Sequence, residues 1–70
     1  MIDKNRAKEI QKHALDAITE LTEALSASEN QCSPEEYEAI ERGVGLSIGR
    51  IEMELLQVIY SAYPELDDLI

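Results

Sequence analysis

Apolar residues recur at helical spacing over residues 3–27. Ala7, Ile10, Ala14, Ala17, Ile18, Leu21, Ala24 and Leu25 fall within one arc, with Asp16, Glu20 and Glu23 on the other side. No proline or glycine interrupts the run. Asp3 suits the N-cap, where its charge favours the positive end of the helix dipole. The periodicity stops at Ser26, Ser28, Asn30 and Ser33, which are turn formers. It resumes at Ser33-Pro34-Glu35-Glu36: a serine N-cap, a proline at the first helical position and a glutamate three residues after the cap. The second helix is expected to run over residues 34–62, because Pro64 disfavours the helical conformation at Tyr63.

The connection, residues 28–33, is short for two helices of 25 or more residues, so they are expected to lie antiparallel. The pattern therefore predicts an all-α fold: one antiparallel helical hairpin over residues 1–70, with a tail at 63–70 that folds back as a short turn. Leu66, Leu69 and Ile70 are the tail's apolar residues.

The second helix has more apolar surface than a hairpin can cover. One stripe comprises Tyr37, Ile40, Val44, Ile48, Ile51, Leu55, Val58, Ile59 and Ala62, which faces helix one. A second, roughly opposite, comprises Leu46, Met53, Leu56, Tyr60 and Tyr63. Left uncovered it would be a patch of several hundred Å², the size that marks an interface. At about 25 cal/mol per Å² its burial contributes several kcal/mol, comparable to the stability of a small domain. A homodimeric four-helix bundle is the expected form, with Leu46, Met53, Leu56 and Tyr60 at the seam. The competing expectation is a monomer whose tail covers the stripe. Gly43, Gly45 and Gly49 each cost up to about 1 kcal/mol in a helix. On the side of the second stripe, Gly45 and Gly49 would let another backbone approach closely.

Fifteen acids against six bases give a net charge of −9. Lys4, Arg6, Lys8 and Lys12 lie in the first twelve residues; beyond them stand two bases and thirteen acids. A hairpin thus has a mixed terminal end and an acidic loop end. An antiparallel dimer would set the loop end of one chain beside the lysines of the other, whereas a parallel one would set two acidic ends together. A net-anionic chain disfavours nucleic acid and membrane surfaces. The expected partner is a basic protein, met by Glu35, Glu36, Glu38 and Glu41, or by Tyr63, Glu65, Asp67 and Asp68 beside Tyr60. The alternative is an RNA regulator using Lys4, Lys8 and Lys12, which recur on one side of helix one.

Candidate chemistry is sparse. His13 is the sole histidine; with Glu9 one turn before it, it reads as a helix-surface pair, and no cofactor or metal is expected. Cys32 has no histidine nearby in sequence and cannot form an internal disulfide, which suits a reducing, cytoplasmic setting. The glycine rhythm at 43–49 lacks both the preceding strand and the following lysine of a phosphate loop. Asp3, Lys4, Asn5 and Arg6 stand where a signal peptide would have its apolar core. The layout is similar to small homodimeric helical hairpins as a class, one of which is an RNA-binding regulator; no motif here matches that regulator. The function expected is that of a non-enzymatic regulator or inhibitor acting by protein–protein interaction.

Overall fold

A computed structural model describes residues 2–69, with side chains through Asp67; Met1, Ile70 and the side chains of Asp68 and Leu69 lie outside that description. The chain is an all-α, two-helix hairpin. Helix α1, Lys4–Ser28, is capped by Asp3, whose carboxylate accepts the Arg6 N–H at 2.8 Å. The turn closes through Glu29 N–H to Ser26 O (3.2 Å) and Gln31 N–H to Ser28 O (3.1 Å). Asn30 takes the left-handed conformation there (φ 65°), which asparagine adopts more readily than most residues.

Helix α2, Pro34–Arg50, opens on a complete capping box. The Glu36 N–H donates to Ser33 Oγ at 3.1 Å, and the Ser33 N–H donates to Glu36 Oε1 at 2.9 Å. A π-helical turn, Ile51–Leu56, follows, then α3, Gln57–Ala62, and a 3₁₀ turn, Pro64–Leu69. The backbone stays helical through both junctions (Ile51 φ −60°, ψ −44°; Leu56 φ −65°, ψ −30°), so residues 34–62 form one rod with a wider turn inside it.

The π turn changes which residues face inward. From α2 into the π turn the half-buried apolar side chains are Tyr37, Ile40, Val44, Ile48 and Ile51, at steps of three and four. The next inward residue is Leu56, five positions on, then Ile59, Tyr60, Ala62 and Tyr63. A π turn holds about one residue more than an α turn. The face expected to continue through Leu55 and Val58 is accordingly turned outward, and both are exposed. Beyond Ile51, Ile59 and Ala62 belong to both descriptions.

The buried core sits at the terminal end. Ala7 of α1, Ile59 of α3 and Leu66 of the 3₁₀ turn form one buried cluster, and Ala14 and Leu56 are buried as well. Ile2, Ile10, Tyr60 and Tyr63 pack around this centre. The small side chain at Ala7 leaves room for the third layer that the tail supplies through Leu66. Burying Ile59 contributes about 2–3 kcal/mol, and Leu66 a similar amount. Gln11, a polar residue on the apolar arc, is buried with them. It donates to Leu66 O at 3.1 Å and to Tyr60 Oη at 3.2 Å, tying the tail and α3 to α1. Tyr63 Oη donates to Ile2 O at 2.9 Å across the same end.

Candidate functional site

Coverage is uneven along the hairpin. Among the described residues, none from 15 to 55 is fully buried. Leu15, Ile18, Leu21 and Leu25 of α1 and Tyr37, Ile40, Val44 and Ile48 of α2 are only half-buried, because two helices touch along a single line and nothing roofs it. Ala24, on the expected apolar arc, is exposed. The molecule measures 46 × 18 × 16 Å with a radius of gyration of 14.7 Å; a compact domain of this length has about 11 Å. Its accessible surface is 5193 Å², against about 4,400 Å² expected for its mass. The excess, about 800 Å², is one partner's share of a standard interface.

The expected self-association stripe divides in two. Leu56 is 3 % exposed and belongs to the chain's own core, with Tyr60 and Tyr63 half-buried beside it. Leu46 (66 %) and Met53 (76 %) stand open on the outer side of the rod. Together with Gly49, Arg50 and Glu54 they line a shallow apolar groove of about 290 Å³. Leu55 and Val58, displaced by the π turn, add to the exposed apolar surface. A Cβ placed on Gly43, Gly45 or Gly49 would meet nothing within 4 Å, so no close approach inside this chain requires glycine at those positions.

The charged candidates also sort by location. Glu35, Glu36, Glu38 and Glu41 are all exposed at the loop end. The Ser33 hydrogen bonds hold the Glu36 carboxyl below the usual glutamate range. Glu38 pairs with Arg42 at 3.7 Å. Burial, and then the charges of Glu29 and Glu41, push the nearby Tyr37 phenol up. At the other end Glu65 pairs with Lys4 at 2.9 Å, a contact that lowers its pKa. Tyr63 and Glu65 are thus engaged in docking the tail; Asp67 is exposed, and the side chain of Asp68 lies outside the described residues. Of the basic face, Lys4 holds Glu65, Lys12 holds Asp16 at 3.0 Å, and Lys8 is exposed.

Residues 16–46, the loop half, contain eight acids and one base; the remainder contains seven acids and five bases. His13 is exposed on α1. The half-buried Cys32 thiol donates to Ser28 O at 3.3 Å. Among the described residues no group of three histidine, cysteine or acidic side chains is placed to hold a metal ion, and no helix is long and apolar enough to cross a membrane.

Two features escape a reading by pattern. Gln11 is polar, and only its position on the apolar arc hints at burial. The π turn leaves its trace as an ambiguity, since 55/58/62 and 56/59/60/63 are both apolar runs. Searches of protein-family models, curated proteins and solved structures find no match to this chain.

Proposed function

We propose that this chain is a non-enzymatic interaction protein: a homodimer whose acidic surface binds a basic protein partner as a regulator or inhibitor. The observation that carries the reading is the apolar surface left in water. Leu46, Met53, Leu55 and Val58 are exposed on a chain whose total surface exceeds the expectation for its mass by half a standard interface. Burying the apolar side chains on that surface, at about 25 cal/mol per Å² of apolar area, favours association. Glycines with open space beside them set no steric limit on how near a second helix can come. The net charge of −9 selects a cationic partner and raises its rate of encounter.

Sedimentation over about 1–100 µM, the range in which weak and moderate dimers dissociate, tests the first element. A dimeric mass is expected for the native chain and a monomeric one for Leu46→Lys and Met53→Lys. A monomer at every concentration would remove self-association from the reading.

A further inference from the structure

We infer that the open half of the hairpin seam, residues 18–25 of α1 and 37–48 of α2, is a docking groove for a cationic amphipathic helix of another protein. This rests on the reading above of a chain that binds a basic partner, and not on its self-association.

The fold itself shows how such a seam is roofed. At the terminal end the 3₁₀ turn Pro64–Leu69 lies across the hairpin and inserts Leu66, which becomes 2 % exposed. That roof is acidic, carrying Glu65 and Asp67, and it covers the half of the hairpin that holds Lys4, Arg6, Lys8 and Lys12. Glu65 reaches Lys4 at 2.9 Å. The loop half presents the same apolar seam without a roof, and its charge is reversed: residues 16–46 carry eight acids and one base, and the exposed Glu29 and Glu41 follow the seam residues Leu25 and Tyr37 by one helical turn. The complementary roof is therefore apolar on one side and basic on the other.

A second copy does not meet that description. With loop ends together it brings eight acids against eight. Reversed, it offers a terminal half whose own seam is already filled by Leu66. Its place is the outer face at Leu46 and Met53. Residues 37–48 span roughly 16 Å at 1.5 Å per residue, about three helical turns. The occupant is thus a helix of that length with apolar residues at i, i+3, i+4 and i+7 and lysine or arginine elsewhere.

The test uses the native chain and a synthetic leucine–lysine helix of about 14 residues with that spacing. Its controls are a scrambled peptide of the same composition and one with glutamate for lysine. Binding is followed by fluorescence anisotropy and by backbone amide shifts. The expected result is one helix per chain, with shifts confined to residues 18–25 and 37–48. The scrambled peptide should bind at least about 10-fold more weakly and the glutamate peptide still less. Val44→Lys should weaken binding by about 10-fold or more; because it touches the seam, Glu29→Gln/Glu41→Gln serves as a second variant expected to weaken binding, both changes being exposed.

Equal binding of the scrambled peptide would reduce the effect to charge attraction and overturn the inference. Shifts centred on Leu46 and Met53, or no binding at about 100 µM, would also overturn it. Binding only with loss of the dimer would assign the seam to a second copy. Sedimentation of the same samples separates the two readings. A monomer that binds the helix removes self-association alone, and a dimer that does not bind it removes the groove alone.

Discussion

At the scale of single residues, Gln11 is the one whose chemistry the fold depends on in a way its type does not suggest. Its amide spends two donors on Tyr60 Oη and the Leu66 carbonyl. Without it the Leu66 carbonyl and the Tyr60 hydroxyl lose the donor that ties them to α1. Gln11→Ala and Gln11→Leu are both expected to lower stability by about 1–3 kcal/mol, measured by urea unfolding. Leucine fills the space but not the hydrogen bonds, so a stable leucine variant would mean that packing, not the amide, matters at this position. Glu36 gives a sharper sign. Its folded pKa lies below the ordinary 4.5, chiefly through the Ser33 backbone hydrogen bond. Its ionised form therefore favours the folded state above that pH, and the gain is lost as pH falls through the lower folded value. Glu36→Gln keeps a side-chain acceptor but no charge. Thermal melts should show it less stable than the native chain at pH 7, with the difference shrinking as pH falls below the ordinary glutamate range.

At the scale of elements, the π turn is the feature with consequences. Deleting one residue from an α-helix rotates everything beyond it by about 100° and moves the apolar face off the core. Here the helix already carries one residue more than an α turn between Ile51 and Leu56. Deletion of Glu52, which is exposed, should close the π turn into an α turn and leave Leu56, Ile59 and Tyr60 facing α1. The expected outcome is a melting temperature near that of the native chain, whereas deletion of Ala39 in α2 should cost most of the helical signal. If both deletions unfold the chain alike, the π turn is not the point at which register is absorbed. The capping box and the Asp3 cap, by contrast, act locally and are formed by residues adjacent in sequence.

For the whole molecule, the governing quantity is coverage. A rod 46 Å long and 16–18 Å across buries a core only where a third layer exists, and the 3₁₀ tail supplies that layer for the terminal end alone. The loop half and the outer face at Leu46 and Met53 stay open. Lysine at 46 or 53 touches no core residue, so it is expected to change the mass in solution while leaving the unfolding of the monomer within about 0.5 kcal/mol. A variant that lost stability as well would place those side chains in a role within the chain.

The hairpin was legible in the sequence because its determinants are local: helical spacing from Ala7 to Leu25, the Ser33–Glu36 box, and Pro64 as a stop. The acidic loop end was legible for the same reason, since charge follows composition once two helices are antiparallel. The inward face beyond Ile51 was not, because two overlapping apolar runs satisfy the same periodicity. The choice between them depends on where Leu66, Gln11 and Tyr63 meet, across 50 to 60 residues of chain. Local pattern sets which segments are helical; only contacts between distant segments decide which side of a two-faced helix is buried, and with it which apolar surface is left for a partner.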